Sequence, residues 1–170
     1  MRQLMALVLL ATSASFIGAV RDGNVAEVRQ MLAQGADPNA PEGGNNWTPL
    51  LHAIHKNQIG SVAALLDGHA DPNRAVNSMT PLMMAAGYGY TPIVRLLLAR
   101  GADPRLRDLD GFTAVDYAIL GMTDLDRFTF FSCGDDTVRV LLAANAPRTI
   151  QRNSRRWGSL KGCASLSLLR

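Results

Sequence analysis

His52 and His55 stand three positions apart in the stretch TPLLHAIHK. On a helix that spacing turns both imidazoles to one side. Two imidazoles on one face raise the question of a metal, but zinc takes three or four protein ligands. No cysteine or carboxylate at ligand spacing accompanies the pair, so the pair reads as one partly buried and one surface histidine, with no metal. Asp124, Asp126, Asp135 and Asp136 could do acid–base work or hold calcium, yet their spacing fits no calcium loop. Helix capping and a solvated loop account for them. Cys133 and Cys163 would clip two segments together in an oxidising compartment and stay free thiols in a reducing one. There is no G-x-S-x-G, no glycine-rich phosphate loop and no H-E-x-x-H. The chain is therefore read as a non-enzyme, with no cofactor and no small-molecule substrate. Asn46-Trp47-Thr48 has the form of a glycosylation sequon, but Pro49 follows it and Asn46 reads as a turn residue.

The elements that carry these residues are repeated. Gly35, His69 and Gly101 precede the same Ala-Asp-Pro core at nearly even intervals. Val28, Val62, Val94 and Val138 each open a similar phrase, VRQML, VAALL, VRLLL and VRVLL. Thr48, Thr80 and Thr113 open a second phrase at almost the same interval. The period is about 33 residues, within the range of repeat architectures. In the clearest unit, Thr80 is an N-cap and Pro81 fits the first helical position, where its missing N–H costs nothing. Thr91 and Pro92 are expected to cap and start a second helix in the same way. Val94, Leu97 and Leu98 make its apolar stripe. Gly101 can take the left-handed turn that closes this helix, and Pro104 prevents its continuation. Neither helix is long enough to be stable alone. Each stripe must be covered by the neighbouring unit, which is a solenoid.

These residues resemble ankyrin repeats. The match lies in Thr48-Pro49-Leu50, Thr80-Pro81-Leu82, the four valine-led helices, Gly35-Ala36-Asp37, Gly101-Ala102-Asp103 and Asp110-Gly111 before Phe112-Thr113, and covers about residues 14–147. The resemblance implies an all-α solenoid of about four helix-turn-helix units with hairpin-like fingers, the helix pairs starting near Ala14, Thr48, Thr80 and Thr113. Leu51, Met83 and Asp116 stand where the family has histidine, so that helix-start hydrogen bond should be lost or altered. His69 stands where the family has glycine and must accept a positive φ, which histidine does less readily. The first finger is slightly longer than the family's and the second slightly shorter. The last unit exceeds the family's length, and an insertion at about 123–135 divides it.

Charge is segregated along the chain. Residues 148–170 hold six basic residues and no acidic ones, against 11 basic and 14 acidic in residues 1–147. This tail reads as a C-terminal cap, with contact to a membrane surface or polyanion as the alternative role. The N-terminus pairs Arg2 with an apolar run from Leu4 to Ala11 and then small residues. That layout fits a secretory signal over residues 1–19 better than an uncleaved capping helix. With a signal the protein is exported, periplasmic or secreted; without one it is cytoplasmic. The array is placed at residues 20–147.

The family resemblance implies that a protein or peptide partner binds a monomeric array in its concave groove, and no specific nucleic acid. The register puts Trp47, Met79 and Phe112 just before each helix-capping threonine, and His55, Lys56 and Tyr88 at the ends of first helices. Arg105 and Arg107 edge them with charge. Aromatic, methionine and arginine side chains are those enriched at interface cores. Phe128, Phe130 and Phe131 cluster in the insertion, as a second site or as a cover for the last helix pair.

Overall fold

A computed structural model describes residues 15–121 and 135–147. Residues 1–14, the segment 122–134 with Phe128, Phe130, Phe131 and Cys133, and residues 148–170 with Cys163 lie outside the described residues.

Among the described residues, eight helices alternate in length. The seven-residue helices are α1 (Phe16–Asp22), α3 (Pro49–His55), α5 (Pro81–Gly87) and α7 (Ala114–Leu120). The nine-residue helices are α2 (Val25–Ala33), α4 (Ile59–Asp67), α6 (Thr91–Ala99) and α8 (Asp135–Ala143). The short helices pack in the order α1, α3, α5, α7 and the long ones in the order α2, α4, α6, α8, each pair also packing within its own unit. The result is a two-layer, all-α solenoid of four helix pairs. The boundary drawn from sequence between Ala19 and Val20 falls inside α1, whose Ile17, Ala19 and Val20 are buried.

The helix starts follow from their caps. The Ser15 hydroxyl accepts from the Gly18 N–H at 3.1 Å, Thr48 from Leu51 at 3.4 Å and Thr80 from Met83 at 3.2 Å. One such cap stabilises a helix by about 1 kcal/mol. At α7 the residue in the family's histidine position takes over: the Asp116 carboxylate accepts from the Thr113 N–H at 2.7 Å and the Thr113 hydroxyl at 2.8 Å. At α5, the Met83 Sδ lies 3.5 Å from the Thr80 N–H. Thr91 does not cap α6. It is the first helical residue, Tyr90 holds the cap position, and the Thr91 hydroxyl instead meets the buried Thr137 hydroxyl of α8 at 2.6 Å.

The core is one continuous cluster. Val28, Val62, Val94 and Val138 are all fully buried, as are Leu65, Leu97 and Leu141. Gly60 permits the α2–α4 contact, because a Cβ there would lie 2.6 Å from Val25 Cγ2. His69 takes a φ of 68° where the equivalent Gly101 has 89°.

The fingers differ in length as the sequence implied. Glu42 pairs with Trp47 across four residues, and Val76 with Met79 across two. Asn77 and Ser78 both have positive φ, 50° and 64°, the requirement of a two-residue hairpin turn of the primed type. In the third finger the Asp108 N–H donates to the Phe112 carbonyl at 3.0 Å.

Candidate functional site

Four rings form a continuous chain from the first finger, along the end of α3, to the turn between α5 and α6. Trp47 ends the first finger and packs edge-on against His55, with ring centres 5.2 Å apart. His55 closes α3, and its Nδ1 is 3.0 Å from the Tyr88 hydroxyl. Tyr88, just beyond α5, stacks on Tyr90 at 5.3 Å and 26°. Gly89, with a φ of 70°, turns the backbone between the two tyrosines. Trp47 also packs edge-on against His52 at 5.5 Å. Aromatic pairs in these geometries contribute about 0.5–1.5 kcal/mol beyond burial.

The sequence pattern placed Trp47, His55 and Tyr88 near one another, and the structure joins them. One of the two histidines was expected at the surface; His52 is buried and His55 half-buried, because the Trp47 and Tyr88 rings flank His55. Tyr88 is only 8% exposed, so it is a wall of the site more than a protrusion from it. Met79 and Trp47 are half-buried against the core cluster. Phe112 packs edge-on to Tyr117 at 6.5 Å, in a contact separate from the four-ring chain. Tyr90 was not among the sequence candidates. The signal for it was the Tyr-Gly-Tyr stretch, since a turn at a glycine can bring its two neighbours to one side.

An open cleft of about 630 Å³ adjoins this chain, between α1, the first finger and α3. Arg21, Asp22, Glu42, His52 and Lys56 line it. His52 Nε2 meets the Glu42 carbonyl at 3.2 Å and so ties α3 to the finger. Burial holds the His52 pKa below its usual 6.5, opposed by the Glu42 carbonyl bond and assisted by Arg21 and Lys56.

The two arginines expected to edge the site are engaged in their own finger. Arg105 pairs with Asp103 at 3.0 Å, which lowers the Asp103 pKa, and Arg107 donates to the Gly111 carbonyl at 2.9 Å. The same finger is held by Asp108, whose carboxylate accepts from the Asp110 and Phe112 N–H groups and from the Tyr117 hydroxyl at 3.0, 2.8 and 2.8 Å. Burial, then this bond, pushes the Tyr117 pKa well above its usual 10. Among the described residues no three His, Cys, Asp or Glu side chains converge to hold a metal ion.

The chain matches the family model described as ankyrin repeats (3 copies) over residues 16–108 and 69–153. It is 37% identical over 106 residues to the ankyrin repeat and SAM domain-containing protein 6 of Rattus norvegicus, covering 60% of this chain and 12% of the relative. It is 43% identical over 72 residues to the 2-5A-dependent ribonuclease of Mus musculus, covering 42% and 10%. An ankyrin repeat-containing protein of Treponema pallidum (strain Nichols) is 34% identical over 103 residues, covering 60% and 35%. The chain thus spans between a tenth and about a third of the length of these relatives.

Proposed function

The chain belongs to the ankyrin-repeat family, whose repeats are generally protein–protein interaction modules, and from that premise we propose that it is a non-catalytic module binding a protein or peptide partner along its finger side. The observation that carries the reading is the chain of rings from Trp47 through His55 and Tyr88 to Tyr90. It joins two successive units into one aromatic surface, with Lys56 and the charged cleft at one end. Aromatic anchors beside a polar rim are what carry most of the energy of an interface. Met79 and Phe112 add apolar surface on the second and third fingers, and Arg105 and Arg107 are held within the third. The ribonuclease among the relatives shares about a tenth of its length with this chain. What this chain shows is the repeats alone.

The test starts with partners captured from the native source and identified by mass spectrometry. Trp47→Ala, Tyr88→Ala and Phe112→Ala are then titrated against the partner, with melting temperature followed in parallel. We expect Trp47→Ala to weaken binding at least tenfold, a loss of about 1.4 kcal/mol or more, at a temperature where the variant is still folded, its melting temperature being lowered by the lost contacts to His52 and His55. If all three keep full affinity, or lose it only as they unfold, the finger side is not the site.

A second reading rests on the tail, where six basic residues with no acidic ones follow the last helix pair. Such a segment would tether the module to an anionic surface, and its binding would weaken as salt is added.

A further inference from the structure

The second finger closes in a turn of two residues, Asn77 and Ser78. Val76 and Met79 exchange both backbone hydrogen bonds across it, each at 3.0 Å. In such a hairpin the central N–H groups have no cross-strand partner. Among the described residues the Ser78 N–H meets no acceptor, and the exposed Asn77 side chain makes no hydrogen bond. The Ser78 hydroxyl turns back and donates to the Asn77 carbonyl at 2.6 Å. An unheld side-chain amide is thus followed by an unheld backbone nitrogen, and a bond between them closes a five-membered ring.

The other seven asparagines among the described residues lack this combination. After Asn24, Asn57 and Asn145 the next N–H donates to the Gly23, Ala53 and Leu141 carbonyls. After Asn39 and Asn73 it meets the Asp37 and Asp71 carbonyls, and both side chains are tied to the next unit as well. After Asn45 it meets the Gly43 carbonyl, and after Asn46 the Asn45 side chain. The three Asp-Gly steps, where the small second residue favours the same ring closure, are held too. Their Gly23, Gly68 and Gly111 N–H groups donate to the Val20, Ala64 and Asp108 carbonyls. Ring closure at each of these places must first break a hydrogen bond. At Asn77 it breaks none at the attacking nitrogen.

We propose that Asn77 is a site of self-modification, converting to isoaspartate and aspartate through a cyclic imide. The Ser78 nitrogen gives its proton to hydroxide and attacks Asn77 Cγ. A bond from that nitrogen to Cγ forms, and the bond from Cγ to the side-chain nitrogen breaks. The side-chain nitrogen leaves as ammonia, with a proton taken from water. Water then opens the ring. Opening at the former backbone carbonyl gives isoaspartate, and opening at Cγ gives aspartate. Nothing is oxidised or reduced, and water is the co-reactant. The Ser78 hydroxyl assists, because the Asn77 carbonyl belongs to the same peptide as the attacking nitrogen. A donor on that oxygen stabilises the charge left when the proton goes. One pair of backbone bonds closes the hairpin, so the local opening that ring closure needs costs little. Either product puts a carboxylate at the tip of the second finger. Isoaspartate also routes the main chain through its side-chain carbon, which lengthens a two-residue turn and loosens the Val76–Met79 pair. The inference is independent of what the array binds.

The experiment uses the full chain, kept warm at mildly alkaline pH for several weeks and mapped by peptide mass spectrometry against a zero-time sample. Conversion is read from the mass gained when an amide becomes an acid, and isoaspartate from labelling by an isoaspartyl methyltransferase. Asn77 should convert first among the eight described asparagines. The hydrogen bond that must open slows each of the other seven by roughly fivefold or more. Isoaspartate should accompany aspartate, since the imide opens both ways and direct amide hydrolysis gives aspartate alone. The rate at Asn77 should rise about tenfold per pH unit, as the deprotonated fraction of a weak acid does well below its pKa. In urea the other seven should quicken by roughly the same fivefold, and Asn77 should change least. An unchanged Asn77 peptide, whether or not another of the eight converts, would overturn the proposal. So would aspartate without isoaspartate, or a rate at Asn77 that does not respond to pH.

Discussion

The first and third fingers solve the same problem with different bonds. Both must hold an exposed loop against a helix pair. In the first, Asn39 reaches forward to the next unit, its amide donating to the His69 carbonyl at 3.2 Å and accepting from the Asp71 N–H at 2.8 Å. Asn73 repeats this one unit on, with Gly101 at 3.1 Å and Asp103 at 2.7 Å. At the third position the residue is Arg105, which turns back to Asp103 in its own finger. The first two fingers are therefore stitched to their neighbours, and the third is closed on itself through Asp108 and Tyr117. Beyond it, the joint between the last two units is made by helix packing and by the Thr91–Thr137 hydroxyl pair. A solenoid is a sum of unit and interface terms, so these differences should be measurable one joint at a time.

The largest expected effect follows from the stitches. Asn73→Ala removes two bonds at once and leaves the Asp103 N–H and Gly101 carbonyl without that partner. It should lower unfolding free energy by about 2 kcal/mol in urea titration, at roughly 1 kcal/mol per bond. Arg105→Ala, at the corresponding position of the third finger, should cost less than about 0.5 kcal/mol, because an exposed ion pair contributes little. Equal losses for the two would remove the distinction between stitched and self-closed fingers.

Much of this difference was written in the sequence as Ala-Asp-Pro-Asn, Ala-Asp-Pro-Asn and Ala-Asp-Pro-Arg. The repeat period revealed the helix pairs, because each buried valine and each capping threonine has to recur for the units to stack. The insertion was legible for the same reason: the interval from the start of α6 at Thr91 to that of α8 at Asp135 exceeds the interval from Ile59 to Thr91. What the pattern could not show was the direction that single side chains take. Thr91 reads as a cap but turns to Thr137, and Arg105 reads as an edge of the groove but folds onto Asp103. His52 enters the ring cluster through a contact between finger and helix that no local spacing encodes, whereas the Tyr90 contact lies within one unit and was signalled by Tyr-Gly-Tyr.

A middle-sized effect tests the self-closed finger. Tyr117→Phe keeps the ring against Phe112 and removes only the hydroxyl donated to Asp108. The carboxylate keeps its two backbone N–H donors, so the loss should be about 1 kcal/mol. Amide exchange should quicken at Asp110 and Phe112, with the first finger unaffected. An exchange change spread across all three fingers would mean that the third is coupled to the rest after all.

The smallest effect separates the two fingers by pH. His52 ties the first finger to α3, and its pKa is lowered on folding, chiefly by burial. The unfolded chain then binds the proton more readily, so stability falls as pH drops below about 6.5, the ordinary histidine value. Tyr117 ties the third finger to α7, and its pKa is raised, chiefly by burial. Here the unfolded chain gives up its proton first, so stability falls as pH rises above about 10, the ordinary tyrosine value. His52→Asn should flatten the acid limb of a melting-temperature profile and leave the alkaline limb. Tyr117→Phe should do the opposite. Carboxylates titrate below the histidine window, and the lysine range lies at the upper edge of the tyrosine one, so the comparison rests on the difference between each variant and wild type. If each variant leaves its own limb unchanged, these two groups do not set the pH response of the fingers they hold.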